Sequence, residues 1–277
     1  MRILITGGKG NIATIIKNGL SEYYEIINPS HSELDVLDMC SIQSFLNNHE
    51  NFDILIHSAI IGGRRTKTEE YDIFYKNIRM MENVLKFENK FKMIINFDSG
   101  AIYDRNTDIM NRKENELFTI PTDFYGFSKY VIYSRSLQYR HIFNFRIFNI
   151  FHELEESDRF IKMCCIAKQN NSNVTIHADK YFDFVYKDDF VKIVKYYIDN
   201  CDKQDVLEKT LNICYERKYL LSDVAKLILP PTQIVIENID LSHNYCGDNS
   251  KLQKMNIHVD GLENSMIKYE TNFISNV

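Results

Sequence analysis

The chain has 277 residues, with 44% hydrophobic and 26% charged side chains, a balance that excludes wholesale disorder. Its formal net charge of -5 and isoelectric point near 5.9 argue against a nucleic-acid binder, which carries a basic surplus. No apolar run reaches the ~20 residues of a membrane helix, and the N-terminus lacks the regions of a signal peptide, so the reading is a cytoplasmic protein.

In chain order, Arg2 to Thr6 reads as a buried strand and Asn11 to Leu20 as a helix. Glu25 to Asn28 is a second strand. Ser41 to Asn47 is a helix with Ser41 as its cap. Phe52 to His57 is a third strand, Tyr71 to Phe87 a long amphipathic helix and Lys92 to Phe97 a fourth strand. A helix from Phe124 to Tyr139 precedes a strand from Asn144 to Ile150. Strands and helices alternating at this pace specify an α/β fold, a doubly wound parallel sheet of Rossmann type. The second half is less regular: helices over 158–168 and 189–198, and strands over 174–177, 211–215 and 233–237. The division expected is a dinucleotide-binding domain over 1–151 and a smaller substrate-binding region over 152–277, parts of which return to the first domain. The six cysteines form no CxxC pair, so reduced thiols are expected, with neither a metal site nor a disulfide framework.

Gly7-Gly8-Lys9-Gly10-Asn11-Ile12-Ala13 follows the first strand and opens the first helix. Gly7 allows the tight turn, Gly10 lets backbone approach a pyrophosphate, and Ala13 permits close helix–sheet packing. The helix start offers free N–H groups to the anion. At the end of the second strand, NAD sites place an acid against the ribose hydroxyls. Here Asn28-Pro29-Ser30-His31-Ser32 stands instead, with no acid before Glu33. Lys9, Ser30 and His31 suit a 2′-phosphate, which favours NADP(H) over NAD(H); Asp35 could accept from the adenine amine.

Tyr125 and Lys129 lie four apart on one face of a helix. An ammonium beside a phenol lowers its pKa and makes it a usable general acid. Ser99 follows the fourth strand, at the carboxyl edge where open α/β sheets hold ligands. It can bond a carbonyl oxygen and orient the phenol. Gly63-Arg64-Arg65-Thr66-Lys67 could grip phosphates or form a solvated loop.

This set resembles the extended short-chain dehydrogenase/reductases, and within them the GDP-L-fucose synthase group of nucleotide-sugar reductases and epimerases. Further segments carry the likeness: Ser32 to Asp38, His57 to Gly63, Tyr75-Lys76-Asn77, Phe184 to Asp189 and Asp248 to Leu252. The resemblance implies a catalytic triad of Ser99, Tyr125 and Lys129. It implies that Gly7, Lys9, Gly10, Asn11, Ile12, Asp35, Val36, Ser58, Ala59 and Asn77 line the cofactor. The run Arg146 to Ile150, through Phe148 and Ile150, would wall the nicotinamide. Ile61, Gly62, Ser99, Ala101, Asn149 and Arg159 would meet the substrate. Fucose synthases carry a cysteine and a histidine that shuttle protons during C3/C5 epimerisation; here those positions hold Ala101 and Arg159, and His152 lies close in sequence. Relatives with an R-x-F segment grip the diphosphate by its arginine, where this chain has Phe182. The implied activity is NADP(H)-dependent reduction of a nucleotide-linked 4-keto-6-deoxy sugar without epimerisation. An epimerase or bifunctional epimerase/reductase, and a non-enzymatic NADP sensor, are the alternatives. The likeness also implies a homodimer through the helices 71–87 and 124–139.

Overall fold

The computed structural model describes residues 1–63, 69–238 and 240–275, with side chains of 274–275 left aside. Arg64 to Lys67, the basic run, lie outside the described residues. The first half alternates β1 (Arg2–Thr6), α1 (Asn11–Leu20), β2 (Glu25–Ile27), α2 (Met39–Asn47), β3 (Ile54–His57) and α3 (Asp72–Leu85). Next come β4 (Met93–Ser99), β5 (Ile109–Arg112), α4 (Phe124–Ser136), β6 (Ile142–Ile147) and β7 (Ile150–Phe151). The second half adds α5 (Phe160–Asn170), β8 (Val174–Ala178), β9 (Val185–Tyr186), α6 (Lys187–Asp199) and β10 (Thr210–Ile213). It ends with α7 (Leu221–Lys226), β11 (Ile234–Asn238), β12 (Tyr245–Gly247), α8 (Ser250–Lys254) and α9 (Gly261–Ser275).

Six strands form one parallel sheet in the order β10-β6-β4-β3-β1-β2. Successive residues of a strand point to opposite faces, and here both faces are covered. Ile3, Ile5, Ile54, Ile56, Phe143 and Phe145 join α1 and α6 in one core. Leu4, Leu55, Ile94 and Ile142 join α2, α3 and α4 in the other. That is why the strands read as unbroken apolar runs.

Helices α3 and α4 end earlier than the sequence reading has them, at Leu85 and Ser136, and three other differences have a plain local cause. Asp38, not Ser41, caps α2: its Oδ1 accepts from the Cys40 amide at 2.9 Å. The Ser41 hydroxyl instead accepts from the Asp35 amide at 3.0 Å, fixing the turn before the helix. β4 runs on to Ser99, so this residue ends the strand rather than following it. The span 144–150 divides into β6 and the short β7, which pairs with β9. From the second half, β10 joins β6 at the sheet edge and α6 packs on α1.

Candidate active site

The carboxyl ends of β3, β4 and β6 and the start of α1 open into a cleft of about 420 Å³. At one end lies the glycine loop. Gly7 has φ +69°, and a Cβ there would come within 2.9 Å of Ala59 Cα. Gly8, which the motif reading left unassigned, is more constrained: a Cβ would fall 2.2 Å from the Asn28 carbonyl oxygen. The Gly8 amide donates to the Pro29 carbonyl at 3.2 Å, and Asn28 Nδ2 donates to the Gly8 carbonyl at 3.1 Å. The loop is thus stitched to the end of β2. No side chain caps α1, which carries no acid in its first turn. Its leading N–H groups are free for an anion. This backbone cradle fits a dinucleotide pyrophosphate.

Around the end of β2, Ser30 donates from both amide and hydroxyl to the Glu33 carboxylate, each at 2.7 Å. Those bonds hold the Glu33 carboxyl below its ordinary pKa. His31 is exposed and stands 3.7 Å from Asp35, whose Oδ1 accepts from the Leu37 amide at 2.9 Å. Val36 is buried, its carbonyl held by Asn83 Nδ2. Lys9 is exposed. None of these five predicted cofactor residues lines the cleft.

Ser99, Tyr125 and Lys129 meet at its centre. Asp123 caps α4, its Oδ1 accepting from the Gly126 amide at 2.7 Å. Glu69 accepts from the amides of Gly63 and Tyr125, each at 3.1 Å. Arg105 bridges the two acids, 2.5 Å from Asp123 Oδ1 and 3.5 Å from Glu69 Oε1. Its guanidinium carbon stands 5.6 Å from the Tyr125 ring centroid. This brace under α4 escaped the sequence reading. Burial pushes the Tyr125 phenol above its ordinary pKa, opposed by a hydrogen-bond contact with Ser99 and by Arg105. Lys129 Nζ, 5.7 Å from the same centroid, donates to the Phe97 carbonyl at 2.5 Å. Burial brings its pKa down to about 8.

Several predicted contacts sit elsewhere. Arg146 does not wall the cleft. It is wholly buried on β6 beside Asp98 of β4, pairs with that carboxylate at 2.9 Å and donates to the Tyr103 hydroxyl at 2.6 Å. Asn77 is also buried, and its amide is spent on the main chain of Ile61 (3.0 and 2.9 Å) and on Ser128 (3.2 Å). It positions the loop rather than facing the cleft. Ile61 and Gly62 lie on that loop, Gly62 against Ile73. Ala101 is 1% exposed and lies behind Ser99, to which its amide donates at 3.2 Å.

Asn11, Ile12, Ser58, Ala59, Phe148 and Ile150 do line the cleft, as do Asn149 and Arg159 at its far end. With the latter stand His152, Glu155, Phe182 and Tyr245, of which only His152 and Phe182 drew notice in the sequence. Burial takes the His152 imidazole down to about 4 and the Glu155 carboxyl up to about 8. At neutral pH both are uncharged. Asn149 Oδ1 and Glu155 Oε1 are buried without a hydrogen-bond partner among the described residues. Phe182 packs on Phe184 and Tyr245, with centroids 4.9 and 5.2 Å apart, so this wall is aromatic.

The sequence model of the NAD dependent epimerase/dehydratase family matches residues 3–214. A GDP-L-colitose synthase of Yersinia pseudotuberculosis is 24% identical over 255 residues, covering 82% of this chain and 81% of that protein. Among solved structures, a GDP-mannoheptose C4 reductase of Campylobacter jejuni with NADP bound has a TM-score of 0.80 at 19% identity, covering 99% of this chain and 98% of that one. A GDP-D-glycero-L-gluco-heptose synthase of the same organism, in the presence of NADPH, has a TM-score of 0.82 at 18% identity over 100% and 98% of the two chains.

Proposed function

The chain belongs to the NAD dependent epimerase/dehydratase family, and from that premise we propose that it reduces the keto group of a GDP-linked 4-keto-6-deoxy sugar with NADP(H), without C3/C5 epimerisation. The observation that carries this is the meeting of Ser99, Tyr125 and Lys129 in a cleft whose other end is an anion-binding backbone loop. The activities of the similar proteins, GDP-sugar reductases and synthases, two of them solved with NADP or NADPH, support the substrate and the cofactor.

When bound, the dinucleotide supplies a hydride. Tyr125, which burial keeps protonated, gives its phenolic proton to the keto oxygen. Ser99 donates to the same oxygen and holds the phenol in line. The Lys129 ammonium, anchored on the Phe97 carbonyl, stands by the phenol and would hold the nicotinamide ribose. Arg159, whose fork suits phosphate oxygens, holds the diphosphate from the α5 side. Ala101 has no titratable proton and is buried, which removes one of the two groups that epimerisation needs.

His152 favours a second reading. Its imidazole is neutral and lines the substrate end, so it has the state of a base. The test is NADPH absorbance with GDP-linked 4-keto-6-deoxy sugars in heavy water. NADPH loss without deuterium at C3 or C5 is expected; deuterium uptake would favour the second reading, and no NADPH loss on any such sugar would overturn both.

The same proposal divides the chain into a dinucleotide domain over 1–151 and a substrate region over 152–277. It places the protein in the cytoplasm, in keeping with the lack, among the described residues, of a helix long and apolar enough to cross a membrane. It also pairs two copies through α3 and α4, where Tyr71, Tyr75, Phe124 and Phe127 are exposed.

A further inference from the structure

Thr6 and His57 are cross-strand partners at the carboxyl ends of β1 and β3. The strand order reverses there: β2 lies to one side of β1, and β3, β4 and β6 lie to the other. Such switch points are where open α/β sheets receive ligands.

Thr6 Oγ1 makes three contacts. The amides of Ser58 and Ala59 donate to it at 3.2 and 3.3 Å, and His57 Nδ1 lies at 2.9 Å. A hydroxyl has two lone pairs and one proton. The two amides occupy the lone pairs. The third contact is therefore made by the hydroxyl's own proton, and Nδ1 accepts it. Burial, aided by the Lys129 charge, pushes the imidazole down to about 3, so the ring is neutral and its one proton sits on Nε2. His57 is 5% exposed, yet it lines the cleft. No described residue accepts from Nε2.

We propose that His57 is a cofactor-binding residue, its Nε2–H donating to an oxygen of the dinucleotide, and that Thr6 fixes the tautomer that makes it a donor. The inference rests on the dinucleotide reading above. His57 lines the same cleft as Asn11 and Ile12 of the helix start and as Tyr125 and Lys129, whereas the residues around the end of β2 do not, which points to an acceptor on the nicotinamide ribose or the pyrophosphate rather than on the adenosine. Thr6 thereby sets three donors at once: two amides pinned in place and one ring proton turned toward the cleft.

Two measurements test this. In nitrogen NMR of the wild-type protein, the His57 ring is expected to carry its proton on Nε2 from pH 5 to 8 and to shift on addition of NADPH. In fluorescence titrations, His57→Phe is expected to weaken NADPH about tenfold. Adenosine 2′-phosphate, which lacks both candidate oxygens, should bind that variant as it binds the wild type. His57→Gln, which keeps an N–H near the same place, should stay within about threefold. Adenosine 2′-phosphate 5′-diphosphate separates the two sources: weakened binding to His57→Phe assigns the pyrophosphate, unchanged binding the ribose. A proton on Nδ1, or NADPH binding to His57→Phe at wild-type strength, overturns the inference. So does an equal loss for adenosine 2′-phosphate, since the defect would then be a damaged loop. A wild-type protein that binds neither NADPH nor NADH overturns the dinucleotide reading itself, and this inference with it.

Discussion

At the β1–β3 end of the cleft the inward-facing groups are backbone amides and small residues, held by bonds to backbone and to Thr6. At the α5 end they are side chains, polar ones beside the aromatic wall of Phe182 and Tyr245, and two of the polar ones, Asn149 and Glu155, keep an oxygen with no partner among the described residues. Backbone cannot be exchanged by mutation, so the first end tolerates little change and holds an invariant group. Side chains can be exchanged singly, so the second end can be retuned to another sugar without disturbing the first. Between them stands the triad, fixed by the Arg105–Asp123–Glu69 brace on one side and by Asn77 on the other.

The largest expected effect lies at the centre. Tyr125→Phe should lower turnover by about 10²–10⁴-fold while NADPH affinity stays within about threefold, read by stopped assays and fluorescence titration. A parallel collapse of NADPH binding would mean that the centre and the nucleotide end are one unit. Next comes the rigid end. Gly8→Ala drives a methyl into the Asn28 carbonyl, and we expect NADPH to bind at least about thirtyfold more weakly, with a lowered Tm. Near-normal binding would show that this end yields more easily than its packing implies.

The pH response separates the ends further. The folded-state pKa of Glu155 lies above its ordinary value, so the folded chain holds more protons than the unfolded chain between about 4.5 and 8. Its favourable share of stability is present below that window and is lost as pH rises through about 8. Glu155→Gln should therefore gain Tm relative to the wild type, by about 3 °C or more, as pH goes from 4.5 to 8. A constant difference across that range would remove Glu155 from the titrating set. The smallest effect concerns nucleotide choice. Glu33 brings a carboxylate to Ser30, where a 2′-phosphate would lie. Glu33→Gln should tighten NADPH about two- to threefold and leave NADH unchanged, by parallel titration.

What could be read from the chain alone follows contact range. The glycine loop and the Tyr125/Lys129 pair are local patterns, and the alternation of apolar strands with amphipathic helices is nearly so. Gly8 and His57 lie in segments that the sequence marks, but what each of them does, like the part played by Arg105, depends on partners distant in the chain. β5, β9 and β12 are short strands that exist because a distant segment pairs with them. For α2, Asp38 and Ser41 are equally good cap residues by type, and only the position of Asp35 decides between them. Arg146 reads like a neighbour of the nicotinamide in sequence, but strand alternation turns it into a buried pair with Asp98.

The place of β10 bears on how the protein is made. A ribosome completes β6 long before it reaches Thr210–Ile213, so the nascent chain carries an unpaired parallel edge in the interval. At a synthesis rate of about 5–20 residues per second, that edge stays open for seconds. α6 arrives in the same stretch and covers α1, where Val191 stands so close to Gly19 that a Cβ would come within 2.7 Å of it. The earliest helix to emerge thus waits for one of the later ones. A chain arrested after residue 151 would expose both surfaces together and become a client for chaperones rather than a working half.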